Sequence, residues 1–415
     1  MLRKFLVLLM VWAVLVSPAS CFDSFWHSEA TRLAAAELGF SDDARKIMQL
    51  GNFSPDFFGP VADLASTSLP APGLEALNQY LANNGQDRDS AIFLHFDNLF
   101  DELDSNAKFD YLFYRLLSNT QAALASYRKQ PGIDDRTRRA LVLITLGASL
   151  HTVQDFYSHS DWIHNDFDKT SVKPVRLSSG RGEIRAPTWF EFREKAGAPE
   201  KWPFRVKTGI YPPTAGTLNT HTHMNHDNSR LMYREFETEG APLLSQVKYH
   251  EAGPVPAHEN DPASALAHQQ LAFNTAAAAS SEWIRKVEEA PDARAAIEFA
   301  KGWSLKSQDK KLGRELEAGL ATELALSCLT GKWDGDDPQS ERGFLCRSIL
   351  DKMGAVSGAK ESKIESLIIG IASSAGFPLA LKYTGKFWDI HSQYHILGRL
   401  SDGIGASSRH YNQLK

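Results

Sequence analysis

Along most of the chain, apolar residues recur at the three- and four-residue spacing of an amphipathic helix rather than alternating as in a strand. Residues 27–50, HSEATRLAAAELGFSDDARKIMQL, predict two helices separated at Gly39, with Ser41 as the N-cap of the second. The stretch that follows, GNFSPDFFGP, is rich in breakers and predicts a loop. Residues 107–128 are a long periodic run, KQPGIDD predicts a turn, and a helix is expected from Asp135 to Ser160. Residues 168–220 mix Pro, Gly and β-branched residues without a helical period, which predicts loops with room for a short hairpin. Helix is expected again over 228–248, over the alanine-rich 262–290 and over most of 291–350. Beyond 358, an apolar helix, KIESLIIGIASSAGFPLALKY, precedes a tail rich in histidine and aromatics. With no repeat and no strand ladder visible, the expected fold class is mainly α, a multi-helix bundle around a polar-lined interior.

Composition adds three constraints. A chain of 415 residues with 43% hydrophobic content can bury a large core, read as one big domain plus a smaller unit. The net charge of −5 leaves no basic footprint, so nucleic acid is not expected as a structural partner, although a nucleic-acid substrate is not excluded. The start, MLRKFLVLLMVWAVLVSPASC, has basic residues (Arg3, Lys4), an apolar core from Phe5 to Val16 and small residues around Ser17–Ser20. That is the grammar of a secretory signal peptide over 1–21, with a retained anchor as the alternative. The expected location is therefore secreted or periplasmic; Cys21 is a candidate for lipidation, but Pro18 fits a lipobox poorly. Three cysteines are too few for a disulfide scaffold, though export would allow Cys328 and Cys346 to pair.

The densest chemistry lies in SLHTVQDFYSHSDWIHND, residues 149–166, directly after the apolar run ALVLITLGA. Charge-prone side chains at the end of a buried segment are costly unless compensated. On a helix, His151, Asp155 and His159 fall at four-residue steps on one face. This spacing presents imidazole and carboxylate to one point, as a zinc ion bound by nitrogen and oxygen requires. The alternative is a solvated polar stripe with His151 hydrogen-bonded in the core. One helix supplies only part of a coordination shell, so further ligands are sought in loops and at helix starts. His27 in FWHSEATRL, Asp56 in NFSPDFF, His95 in FLHFDNLF and the cluster THTHMNHDNS are the candidates. His391 and His395 repeat the four-residue spacing without a carboxylate cluster, and are read as satisfied or surface histidines of an amphipathic helix.

The segments FWHSEATRLAA, MQLGNFSPDFF, FLHFDN and GASLHTVQDFYSHSDW resemble, in order, motifs of the zinc-dependent phospholipase C family. The last is most similar to the branch of pseudomonad phosphatidylcholine-hydrolysing phospholipases C and fungal heterokaryon-incompatibility C proteins. Single-strand-specific zinc nucleases are a more distant branch. The resemblance covers roughly residues 25–285. It implies a helical domain over 22–290 with a metal cleft between helices, leaving 291–415 as a helical C-terminal region of unknown role.

What the resemblance implies for this chain is specific. Asp56, His95, His151 and Asp155 would hold a first zinc, and Asp155 would bridge to a second ion together with His27. For a third ion, the family places a histidine six residues after the helix aspartate, where this chain has Asp161; His159 is the expected substitute. His223 and Asp227 match the family's further histidine and carboxylate, with His221, His226 and His268 as rivals. The expected cofactor is thus two or three zinc ions, which make bound water acidic near neutral pH and offset phosphodiester charge. No G-x-S-x-G elbow is present, Asp56 is the candidate base, and Asp97 is expected to orient His95 or to cap a helix. The expected activity is hydrolysis of phosphatidylcholine-type phospholipids, at a membrane or micelle surface, to diacylglycerol and a phosphorylated headgroup. Trp162, Trp189 and Trp202 are candidates for holding a choline ammonium, with packing as the alternative. Two further readings stand beside it: a zinc nuclease or phosphomonoesterase, favoured by the H-x3-D form of HMNHD, and a non-catalytic lipid-binding relative.

Overall fold

A computed structural model of the protein describes residues 24–58, 90–99, 103–167, 170, 172–176, 184–209, 262–304 and 390–404. The expectations for the N-terminal segment (1–21), for 228–248, for His221, His223, His226 and Asp227, and for the Cys328–Cys346 pair lie outside these residues. Within them the fold is mainly α. The helices are α1 (Ser24–Glu37), α2 (Asp42–Phe58), α3 (Ser105–Lys129), α4 (Asp135–Ser158), α5 (Trp189–Ala196), α6 (Pro262–Val287), α7 (Pro291–Lys301) and α8 (Ile396–Ser401). Two two-residue strands, β1 (Val175–Arg176) and β2 (Ile184–Arg185), pair antiparallel as a small hairpin, with Val175 opposite Arg185.

Helix α4 is the axis of the bundle. Asp134 starts it, its carboxylate accepting from the Thr137 backbone N–H at 2.8 Å. From Ala140 to Ser158 every residue is buried, on all faces, because helices pack against it on every side. Helices α1, α2, α3, α6, α7 and α8 all pack against it. Helix α3 contributes a periodic apolar face including Phe109, Phe113, Leu116 and Leu124. Helix α6 contributes Ala272, Ala276, Ala279 and Trp283, whose indole N–H donates to Ser149 Oγ at 3.0 Å.

The expected loop at GNFSPDFF is instead the second half of α2, with Pro55 inside the helix. Proline removes one backbone donor, the N–H that would reach the Gly51 carbonyl. Ser54 Oγ donates to that carbonyl at 2.5 Å and replaces the missing bond. Gly51 is required for packing rather than for a turn. A Cβ there would collide with the Ile144 backbone of α4, and a Cβ on Gly147 of α4 would collide with the Met48 carbonyl of α2. Two glycines thus let α2 and α4 touch backbone to backbone.

Helix α5 was not expected from the period of its surroundings. Its start is nevertheless written locally, as a capping box in which Thr188 Oγ accepts from the Glu191 N–H and Glu191 Oε2 accepts from the Thr188 N–H. Around it Trp162, Trp189, Trp202, Phe113, Phe156 and Phe192 form one buried aromatic cluster, with Phe113 and Trp189 stacked at 5.1 Å. Trp162 and Trp202 also donate their indole N–H groups to the carbonyls of Pro187 and Gly197. These three tryptophans pack the core and do not offer an open face to a choline group.

The described parts of 291–415 share this core. The boundary expected after residue 290 falls in the turn between α6 and α7, and Ala293, Ile297, Ala300, Ile396, Leu397 and Leu400 are buried with the rest. Helix α8 docks on α3, where Asn119 donates to the Leu400 carbonyl and Arg399 lies over the Tyr127 ring. The expected amphipathic helix through His391 and His395 breaks at Tyr394–His395, where His395 adopts φ 48°. His391 is buried and His395 exposed, so the two do not share a helical face. Among the described residues, no helix is long and apolar enough to cross a membrane.

The glycine contact between α2 and α4 predicts an asymmetric response to added methyl groups. Gly147→Ala is expected to lower unfolding stability by about 3 kcal/mol, at the upper end of what an overpacked core site costs. Gly302→Ala, where a Cβ meets nothing within 4 Å, is expected to be nearly neutral. Urea unfolding of the two variants against wild type is the measurement, and equal midpoints would contradict the contact.

Candidate metal centre

Four elements deliver ionisable side chains to one buried point. His27 comes from the first turn of α1, Asp56 from the last turn of α2, and His151 and Asp155 from the C-terminal half of α4. His95 ends a 3-10 turn, Ile92–His95, after which Phe96 and Asn98 take left-handed backbone angles (φ 53° and 71°). His159 is the C-cap of α4, its backbone N–H still bonded to the Asp155 carbonyl at 2.8 Å. All six residues are at most 5% exposed.

Segment 206–209 binds the two loops that carry His95 and His159. Thr208 Oγ donates to the Phe96 carbonyl and accepts from the Leu99 N–H, and the Asn98 N–H donates to the Gly209 carbonyl. On the other side, Ser160 and Thr208 form an antiparallel bridge and Asp161 Oδ1 accepts from the Lys207 N–H at 2.8 Å. The left-handed turn after His95 is thus held by bonds to the segment 206–209 rather than by the turn's own sequence.

Asp155 is the centre of the arrangement. Its Oδ1 lies 3.1 Å from His27 Nε2 and 3.6 Å from His159 Nε2. Its Oδ2 lies 3.3 Å from His151 Nε2 and accepts from His95 Nδ1 at 2.5 Å. Asp56 Oδ1 stands 3.6 Å from His151 Nε2, and the His27 and His151 rings stack at 4.3 Å. Two overlapping triads result, His27–His151–Asp155 and Asp56–His95–His151, each with ligand atoms within 4.8 Å of one another. These groups can hold a metal ion. Imidazole nitrogens and carboxylate oxygens bound at about 2.0 Å in a tetrahedron stand about 3.3 Å apart, and the observed separations cluster around that edge length.

The electrostatics are those of a site built for positive charge. Burial by itself would raise the pKa of Asp155, but the charges of the neighbouring His151 and His95 hold it well below the usual carboxylate range. Burial also pulls His95 down, yet the charge and hydrogen bond of Asp155, helped by Asp56 and Asp97, raise it to about 9. His27 goes the other way, lowered first by burial and then by His151, despite Asp155 and Asp56. A proton on His95 thus supplies part of the positive charge that a cation would otherwise provide.

The expected residues divide as follows. His27, Asp56, His95, His151 and Asp155 converge in the two triads. His159 stands beside Asp155 but in neither triad. Asp161, its rival, turns one oxygen to the Lys207 backbone and is raised to about 7 by burial. His268 packs edge-on against His164 at 4.7 Å and belongs to neither triad. Asp97 adds to the field on His95, whose Nδ1 is taken up by Asp155. Sequence reading missed Gln154, fully buried between two ligand positions, whose Oε1 lies 2.8 Å from His27 Nδ1. A buried glutamine immediately before the ligand aspartate was the available signal.

The shift at His95 sets a pH dependence. Its folded pKa lies above the unfolded value, so its proton stabilises the metal-free fold fully below about 6.5, a contribution lost as pH rises through about 9. A cation bound there must displace that proton, so affinity is expected to rise about tenfold per pH unit between pH 7 and 9 and then level off. Competition titrations of metal-free protein with a divalent cation across this range test it; a flat profile would contradict the assignment. Comparison of the chain with models of known protein families, with curated proteins and with solved structures gives no match, so the chemistry of the centre rests on its own geometry.

Proposed function

We propose that the protein is an exported, zinc-dependent phospholipase C that hydrolyses phosphatidylcholine-type phospholipids to diacylglycerol and a phosphorylated headgroup. One observation carries the reading: a single buried carboxylate, Asp155, with four imidazoles around it and Asp56 beside them. Nitrogen and oxygen donors at tetrahedral spacing favour zinc over calcium or magnesium, which take oxygen ligands. The order of the motifs around His27, Asp56, His95 and His151–Asp155 resembles the zinc phospholipase C family, and the N-terminal segment supports export.

When bound, zinc would acidify a water molecule and offset the charge of the phosphodiester and of the departing alkoxide. The chain's own residues do the rest. Asp56, the most exposed member of the cluster at 5%, accepts the proton of the attacking water. Asp155 presents one oxygen beside His27 and the other beside His95 and His151. Phe96 and Phe156, next in sequence to His95 and Asp155, pack on Phe113 in the buried core.

Zinc-reloaded protein is expected to release phosphocholine from phosphatidylcholine mixed micelles and to leave single-stranded DNA intact. Asp155→Asn is expected to reduce both the bound zinc and the rate by at least about 100-fold, since loss of mere outer-shell partners already costs 10–100-fold. Cleavage of DNA but not lipid would replace this reading with the nuclease one. Zinc binding without either activity would leave a lipid-binding role.

A further inference from the structure

A ladder of uncharged polar side chains runs through the bundle behind His27, and its direction can be worked out bond by bond. Ser280 on α6 donates its hydroxyl hydrogen to the Ala276 carbonyl at 2.8 Å. Its oxygen is therefore an acceptor for the Gln154 amide, 2.9 Å away, which must present its NH2 group there. The same NH2 group reaches Thr31 Oγ at 3.1 Å. Gln154 Oε1 consequently points the other way, accepting from Asn52 Nδ2 at 3.0 Å and facing His27 Nδ1 at 2.8 Å. An amide oxygen only accepts, so His27 carries its hydrogen on Nδ1. The lone pair is left on Nε2, which faces Asp155 Oδ1 at 3.1 Å. Two acceptors at that distance repel each other, and a cation between them turns the repulsion into coordination.

We infer that Gln154 is a positioning residue that fixes the tautomer and ring orientation of His27, so that Nε2 is the atom offered to a metal beside Asp155. This rests on the zinc reading of the centre. Gln154, Thr31, Asn52 and Ser280 come from four helices and are buried, so the setting is imposed by the packed bundle. Asn52 closes the ladder by donating also to Thr31 Oγ at 2.9 Å, which leaves Gln154 no room to flip its amide. Such outer partners orient a ligand and raise its basicity without touching the metal.

The test reads the tautomer as well as the metal. Long-range 1H–15N spectra of zinc-loaded, histidine-labelled wild type are expected to show His27 protonated on Nδ1 with zinc on Nε2. Gln154→Leu, which removes the acceptor, is expected to raise the zinc dissociation constant about 10–100-fold. Gln154→Glu, which keeps an acceptor for Nδ1–H, is expected to recover most of that loss. A proton on Nε2 in wild type, wild-type affinity in the Leu variant, or a Glu variant no better than Leu would each overturn the inference. If the Leu variant does not fold, the wild-type tautomer decides. Wild type that takes up no zinc would instead remove the metal reading itself, whereas zinc bound with the wrong His27 tautomer would remove only the role of Gln154.

Discussion

A carboxylate in a packed interior is unstable unless positive charge or hydrogen bonds meet it, and Asp155 is met by four imidazoles at once. The surrounding architecture depends on that requirement. His27, His95 and His159 come from separate parts of the chain, and each must be held against the same two oxygens. In the metal-free state a proton on His95, bonded to Asp155, meets part of the need. A metal ion bound there would meet it more completely, and its binding would be coupled to folding through one side chain.

Two features of the bundle make this convergence possible. The first is the glycine contact between α2 and α4, which removes the usual side-chain layer between the two helices. His151 lies one turn beyond Gly147 and Asp56 five residues beyond Gly51, so the close approach carries both toward the same point. The second is the segment 206–209, which stitches the loop after His95 to the end of α4 through Thr208, Gly209 and Lys207. One fixes the helices and the other fixes the loops.

The aromatic residues of the region serve the same end from behind. Trp162, close after His159, is locked into a cluster with Trp189 and Trp202. Through Phe113 and Phe156 that cluster packs against α3 and α4. The residues after 290 extend this packing through α7 and α8, so the described C-terminal parts behave as structure of the same core.

Much of the helical organisation was legible in the sequence, because a 3.6-residue apolar period is a local property. Helices α1, α3, α4 and α6 appear within a few residues of their expected ends. The spacing of His151 and Asp155 is equally local, and on any helix it would place both on one face. Local reading failed where tertiary contacts overrule propensity. The Gly51–Pro55 stretch is helical because Ser54 replaces the lost bond and Ile144 occupies the space a side chain would fill. His391 and His395 part company at a left-handed residue that spacing cannot reveal. The sequence by itself therefore determined the helices, their apolar faces and the residue types able to bind a metal. Only the tertiary structure decided that His27, Asp56 and His95 meet Asp155, because that depends on long-range packing and on which nitrogen each imidazole turns inward.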